Sequence, residues 1–168
     1  MQKSADWHRL AAIAVAAVLF HPPAARAADP IPIAVLDLDY TDHSGELRDQ
    51  RQEHAARLQR FAEALRADLT NTGKYRIVSP VCDPTPCTAA DTALIADARK
   101  AGARLIMFGG VQKMSTLIQW AKLLVIDVQT EKAVFDRLIT FRGDDDESWK
   151  RAEAFTIREF MSPAVATQ

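Results

Sequence analysis

Residues 104–142 decide the fold, and they read RLIMFGGVQKMS (104–115), TLIQWAKLLVIDVQT (116–130) and EKAVFDRLITFR (131–142). Each segment contains a run rich in apolar and β-branched residues, which is typical of a strand. The connections between the runs are too short for a crossover helix, so the three strands are predicted to form an antiparallel meander. Gly109 and Gly110 interrupt the first run, which predicts a bulge or a close approach of two backbones. We expect the rest of the chain to pack on this meander.

The segments before this stretch alternate between strand and helix patterns. Ile31–Tyr40 and Tyr75–Ser79 are short apolar runs, whereas Leu47–Thr72 and Ala89–Ala101 repeat apolar residues at helical spacing. A β-α-β-α-β order requires parallel neighbours joined by right-handed crossovers. The predicted fold is therefore an α/β sandwich of two or three layers with a mixed five-stranded sheet, parallel in its first half and an antiparallel meander in its second.

A further helix is predicted after the meander, which completes the order β-α-β-α-β-β-β-α. Asp144 and Glu147 have the spacing of a capping box, with Asp in place of Ser or Thr. The alternative to helix capping is that the acidic residues 144–146 form a metal site or a site for a partner. Residues 163–168 are expected to form a loose tail. The side chains expected to dock this helix are Trp149, Phe155 and Phe160.

The first 27 residues have the organisation of an export signal. A positively charged start is followed by the apolar run Leu10–Phe20, which is too short to span a bilayer. The A-R-A sequence at residues 25–27 supplies the small residues that a signal peptidase recognises, so cleavage is predicted before Ala28. A buried amino-terminal helix is the alternative. The prediction places residues 28–162 in the periplasm as a single α/β domain.

Two cysteines fit that compartment. Cys82 and Cys87 lie in the sequence VCDPTPC, with four residues between them. An oxidising compartment favours a disulfide between them, although so small a loop gains little stability from a bridge. Free thiols, a redox pair and a metal site are the alternatives. The chain has no further cysteine that could complete a zinc site.

Composition and motifs exclude several function classes. The 168-residue chain is 48% hydrophobic, which is enough for a core. Removing the first 27 residues leaves 18 basic and 21 acidic residues, a formal charge of −3, without the clustered basic face of a nucleic-acid-binding protein. No nucleophile elbow, H-E-x-x-H motif or P-loop is present. His54 is isolated on a predicted helix and is expected to be exposed. The sequence therefore predicts a protein that is not an enzyme and uses no cofactor, and a hydrolase ranks last.

Polar residues at the end of the first strand form one candidate binding site. Asp39, Asp42 and His43 follow the apolar run, and ligands of open α/β sheets bind beyond the carboxyl ends of strands. Carboxylates and a histidine at that position can hold a divalent cation or a small ligand. A solvated loop in which one Asp forms a turn is the alternative.

Lys113, Ser115 and Trp149 are the remaining candidate binding residues. Lys113 and Ser115 present a cation and a hydroxyl near the end of a strand. Strand residues that alternate toward solvent look the same, and this is the interpretation we favour for both. Trp149 is interpreted as a docking residue of the last helix, with a ligand platform as the alternative.

Four segments of the chain resemble a proteobacterial family of exported proteins that is known only as a domain of unknown function. They are an I-A-V-L-D strand, a G-x-V-x-K-x-S segment, a D-x-x-T turn and an R-G-x-x-D-E-S-W segment, at Ile33–Leu38, Gly110–Ser115, Asp127–Thr130 and Arg142–Trp149. In its order of elements the chain is also similar to the amino-terminal domain of the Tol-system translocation protein and to the curli-secretion lipoprotein.

The resemblance implies a module that binds proteins or builds envelope assemblies. It also implies an accessory role that is linked in some relatives to periplasmic quinoprotein alcohol oxidation. From the residues we expect a protein partner in the cell envelope, docked on an exposed edge of the sheet. A small-ligand or divalent-metal protein that uses the loop after the first strand is the alternative. A membrane span in the mature chain and a nucleic-acid partner are not expected.

Overall fold

The computed structural model describes residues 28–80 and 92–162. The predicted export signal and its cleavage site, the Cys82–Cys87 disulfide and the carboxy-terminal tail fall wholly or partly outside these residues. The elements are β1 (Ile31–Asp42), α1 (Arg51–Asn71), β2 (Tyr75–Ile77), α2 (Thr92–Lys100), β3 (Leu105–Lys113), β4 (Ile118–Asp127), β5 (Lys132–Arg142) and α3 (Asp146–Phe160). The predicted α/β order is confirmed. In the described part of the chain, no helix is long and apolar enough to cross a membrane.

The sheet is mixed, as predicted, with the strand order β2-β1-β3-β4-β5. β1 pairs in parallel with both β2 and β3, and the crossovers between them carry α1 and α2. β3, β4 and β5 pair as an antiparallel meander. The edges are therefore the three-residue β2 and the eleven-residue β5.

Alternation along the strands builds two cores on opposite faces of the sheet. Ile33 and Val35 in β1 belong to the larger core, which packs against α1 and α3. Ala34 and Leu36 belong to the smaller core, which packs against α2. The architecture is thus a three-layer sandwich. Leu65 of α1 is fully buried in the larger core, where truncation to Ala typically costs about 2–5 kcal/mol.

A bulge in β1 determines which side chains face α1 and α3 beyond the middle of the strand. The register with β3 shifts between Val35 and Leu38, so two residues of β1 lie opposite one residue of β3. Leu38 and Tyr40 therefore face the larger core, while Asp39 lies on the opposite face. Strict alternation from Val35 would have placed Asp39 inward instead.

Gly109 and Gly110 lie beside this bulge and allow the close approach that the sequence predicts. A Cβ at Gly109 would lie 2.0 Å from the backbone oxygen of Lys122. A Cβ at Gly110 would lie 2.8 Å from the backbone oxygen of Asp39. Any larger residue would push β3 away from one of its neighbours.

The capping of α3 differs from the prediction by one residue. Asp145, not Asp144, is the N-cap, and its carboxylate accepts a hydrogen bond from the Ser148 backbone N–H at 2.8 Å. Phe155 is 40% exposed, so it was wrongly predicted to dock the helix. The buried stripe has the helical spacing 3, 4, 4 and comprises Trp149, Ala152, Thr156 and Phe160.

Candidate functional site

A cluster of polar and charged side chains, centred on the buried Lys113, lies where β1 and β3 end, beneath the start of α1 and the loop before α3. We call it the Lys113 cluster. It joins three segments that are distant in sequence, and its members are Glu46, Gln50, His54, Arg57, Lys113 and Asp144.

Lys113 is fully buried, with an exposed fraction of 0%, so the interpretation that it alternates toward solvent was wrong. It follows Met107 and Val111 on the face of β3 that packs against α1 and α3. Its Nζ donates to Asp144 Oδ2 at 2.8 Å and to Gln50 Oε1 at 2.6 Å, and it pairs with the Glu46 carboxylate. Burial opposes its charge, but the hydrogen bonds to Asp144 and Glu46 outweigh burial and raise the pKa of Lys113.

Asp144 is the carboxylate on which the cluster converges. Besides Lys113, it accepts from Arg57 Nη1 at 2.9 Å, and His54 Nε2 lies 2.9 and 3.0 Å from its two oxygens. Because an ionised carboxylate only accepts, His54 Nε2 carries a proton. Burial alone would raise the pKa of Asp144, but hydrogen bonds from Lys113 and His54 hold that pKa below its ordinary value. His54 is only 2% exposed, so the prediction of an exposed His54 was also wrong.

Aromatic rings cover the cluster on its core side. The Tyr40 ring stacks on His54 with centroids 4.4 Å apart, and Trp149 lies 6.3 Å from each. Phe61 and Phe141 meet the Trp149 ring edge-on. Burial, followed by the charge of Asp42, raises the pKa of Tyr40 above its usual value. The Tyr40 hydroxyl and the Trp149 indole N–H are buried and have no hydrogen-bond partner within the described residues.

A groove of about 470 Å³ runs between α1 and α3, and we call it the α1–α3 groove. Its volume lies within the range of small-molecule sites, about 300–1,000 Å³. Its apolar lining is Phe61 and Ala64 from α1 and Trp149 from α3. The charged residues that complete the lining are Arg57, Arg60, Asp68, Asp146, Lys150 and Glu153.

Arg57 connects the groove to the Lys113 cluster. Its Nη1 donates to Asp144 inside the cluster, and its Nε donates to Asp146 Oδ1 at 2.9 Å on the rim of the groove. Arg60 donates to the same Asp146 oxygen at 2.9 Å. The cations at this end of the groove are therefore paired with carboxylates.

Glu153 is the most unusual residue of the groove. It is only 4% exposed, and its Oε1 has no hydrogen-bond partner in the described part of the chain. Burial, with a smaller contribution from Asp68, raises the pKa of Glu153 to about 7. Perturbed and unpartnered carboxyl groups of this kind concentrate at functional sites. Sequence analysis missed Glu153, although its position one turn after Trp149 and next to Ala152 places it beside the buried stripe of α3.

The candidate residues after β1 do not come together at one site. Asp39 is exposed on the opposite sheet face, and Asp42 is exposed and accepts from the Ser44 backbone N–H at 2.8 Å in a turn. His43 is exposed. Ser115 accepts from the Ile118 N–H at 3.1 Å in the β3–β4 turn. Within residues 28–80 and 92–162, no three His, Cys, Asp or Glu side chains are grouped so that they could hold a metal ion.

Trp149 and Lys113 are the predicted candidates that the fold brings to one region. Trp149 lines the α1–α3 groove, and its ring lies 6.3 Å from that of His54 in the Lys113 cluster. Lys113 itself is buried within that cluster. The loop that follows Asp42 contributes Glu46 to the cluster. The region of interest is thus the face of the sheet covered by α1 and α3, rather than the loop after β1.

Comparison with known proteins identifies the family. The family described as "Protein of unknown function (DUF2380)" matches residues 32–161, and the chain belongs to this family. The resemblance inferred from the sequence motifs is therefore confirmed. No curated protein sequence matches the chain.

One solved structure shares the fold at low sequence identity, and others are similar to the chain with lower TM-scores. The hypothetical protein CT253 from Chlamydia trachomatis matches with a TM-score of 0.52 and 9% identity over 77% of this chain and 95% of that one. The LpoB carboxy-terminal domain from Salmonella enterica gives 0.47 and 16%, over 69% and 85% of the two chains. TolB from Acinetobacter baumannii gives 0.47 and 12%, over 79% of this chain but only 28% of TolB.

Proposed function

We propose that this protein is a non-enzymatic binding module of the periplasm and that the α1–α3 groove is its ligand site. The observation that carries the proposal is a groove of about 470 Å³ whose lining contains the buried carboxyl group of Glu153, which has an oxygen without a partner among the described residues. Phe61, Ala64 and Trp149 form the apolar floor of this groove. Ligand sites combine these two properties, because the floor supplies affinity and a few polar groups supply orientation. The periplasmic location rests on the predicted export signal.

The absence of a nucleophile-and-base pair among the residues lining the groove supports binding rather than catalysis. Within the described lining, the side chains able to take a proton are carboxylates, and Asp146 is engaged by two arginines. The cluster histidine, His54, is held by Asp144 and covered by Tyr40. It therefore orients Asp144 and does not reach the groove lining.

Blocking the groove tests this proposal. Ala64 is half-buried in the floor, so Ala64→Trp fills the groove, whereas Ala67→Trp places the same side chain on an exposed position of the same helix. We expect the wild type and Ala67→Trp to retain a compound from periplasmic extract in equilibrium dialysis followed by mass spectrometry. Ala64→Trp should lose it while keeping its helical circular dichroism. Retention by a folded Ala64→Trp variant, or no retained compound in any sample, would contradict the proposal.

A protein partner along β5 is a second part of the proposed function. β5 is an edge strand of eleven residues and pairs with β4 alone among the described strands. An extended partner segment can pair with the free side of such a strand. A photo-crosslinking residue at the exposed Leu138 should capture an envelope protein, whereas one at the exposed Arg51 of α1 should not. Equal capture at both positions would contradict docking on this edge.

The family resemblance adds a link to periplasmic quinoprotein alcohol oxidation. If the protein is an accessory of that reaction, deleting its gene should lower alcohol oxidation by intact cells, and the wild-type gene should restore it. Unchanged oxidation in the deletion strain would remove this part of the proposal and leave the groove unaffected.

A further inference from the structure

The two ends of the α1–α3 groove carry different charged groups. At the end near the start of α3, Arg57 and Arg60 both donate to Asp146 Oδ1 at 2.9 Å. At the other end, Asp68 of α1 and Glu153 of α3 lie close enough for their charges to interact. Two carboxyl groups thus face one space.

Among the described residues, neither carboxyl group of this second end has a cation as partner. Asp68 and Glu153 form no ion pair with any residue of 28–80 or 92–162. Lys150 also lines the groove, but its side chain is exposed and forms no ion pair within the same residues. Burying a carboxylate without a counter-charge is costly, and nearby positive charge removes most of that cost. This end of the groove is therefore complementary to a cation.

The space between the two ends suits an apolar body. Phe61, Ala64 and Trp149 line it. Phe61 and Asp68 are seven residues apart on α1, which corresponds to about 10 Å along the helix axis at 1.5 Å per residue. A compound with a chain or ring of that length reaches from the apolar floor to the carboxyl groups.

We propose that the α1–α3 groove binds a small organic cation, with its ammonium group against Glu153 and Asp68 and its apolar body over Phe61, Ala64 and Trp149. This inference rests on the proposed function of the groove as a ligand site. The ammonium group supplies the positive charge that Glu153 and Asp68 lack among the described residues. An anion would meet only the exposed Lys150, because Arg57 and Arg60 are already paired.

Three compounds that share a six-carbon chain test the charge preference. Hexylamine, 1-hexanol and hexanoate are titrated into the full chain by isothermal titration calorimetry. The titrations are done at pH 8, where the amine is cationic. We expect hexylamine to bind at least about tenfold more tightly than the other two, since only its ammonium group forms charged hydrogen bonds with the carboxyl groups. Glu153→Gln should abolish this preference. Glu63→Gln, an exposed carboxylate on α1, should leave it unchanged.

The results separate this inference from the proposed function. Equal affinity for the three compounds, preference for hexanoate, no binding of hexylamine, or an unchanged preference in Glu153→Gln would each overturn the inference. A neutral or anionic compound retained in dialysis and lost in Ala64→Trp would discard the cation but keep the groove as the ligand site.

Discussion

Replacing Glu153 by Gln should stabilise the protein above about pH 4.5, with the full effect above about pH 7. Glu153 is 4% exposed, and burial raises its pKa from 4.5 to about 7. Between these two values the unfolded carboxyl group has released its proton while the folded one retains it. The contribution of Glu153 to the free energy of unfolding is therefore fully present below pH 4.5. It is lost progressively as the pH rises from 4.5 to about 7, because the folded protein must then bury a charged carboxylate.

The size of the loss follows from the change in pKa. One pKa unit corresponds to about 1.4 kcal/mol, so the shift of Glu153 amounts to about 3 kcal/mol of destabilisation at pH 8. A glutamine has nearly the same shape and no charge at either pH. We expect Glu153→Gln to raise the free energy of unfolding at pH 8 by up to about 3 kcal/mol and to change it by less than about 1 kcal/mol at pH 4.

Urea unfolding followed by circular dichroism at pH 4 and pH 8 measures this difference. Asp144, whose pKa is lowered, forms no contact with Glu153 and titrates alike in both proteins, so its contribution cancels in the comparison. Glu63→Gln removes an exposed carboxylate and should show no comparable pH dependence. The same effect of Glu153→Gln at both pH values, or destabilisation at pH 8, would refute the argument that a buried carboxylate lacks a partner.

Two further substitutions test the interior of the site by the same unfolding measurement. Lys113→Met should destabilise by about 3–5 kcal/mol, because it removes a buried cation from the largely buried Asp144 carboxylate. Lys122→Met, at the exposed pair with Asp136, should cost less than about 1 kcal/mol. Equal losses would mean that the cluster is not held by Lys113. Gln119 is fully buried with both amide atoms unpartnered in the described structure. Gln119→Leu should raise the free energy of unfolding by about 1–3 kcal/mol, because it removes two unpartnered polar groups from the interior. The control Gln112→Leu, at an exposed position of β3, should change it by less than about 0.5 kcal/mol. A destabilised Gln119→Leu variant would indicate that the amide has a partner.

The sheet could be predicted because its determinants are local. Short connections force the three strands of residues 104–142 to be antiparallel, and the helical repeats before them force parallel neighbours. The bulge between Val35 and Leu38 could not be placed by alternation alone, although Gly109 and Gly110 signalled an irregularity nearby. That irregularity matters for the site, because it turns Tyr40 rather than Asp39 toward α1 and α3.

The Lys113 cluster could not be predicted because its members are brought together only by the fold. Alternation from Met107 and Val111 assigns Lys113 to the buried face, but its charge argues for solvent. The conflict is resolved by Asp144 and Glu46, which lie 31 and 67 residues away in sequence. The same pairing explains the capping of α3: Asp144 is occupied by the cluster, so the next aspartate caps the helix.

The charged cluster also explains why a groove exists at all. A buried network of ion pairs is seldom more stable than a well-packed apolar core, so stability alone is a weak reason for its presence. Here Arg57 joins the network to Asp146, which fixes the start of α3 against α1 at one end. Farther along, Ala64 and Trp149 both line the groove, and the small side chain of Ala64 leaves space between the two helices unfilled. The cluster thus sets the separation of α1 and α3, and Glu153 lies in the space that this separation leaves.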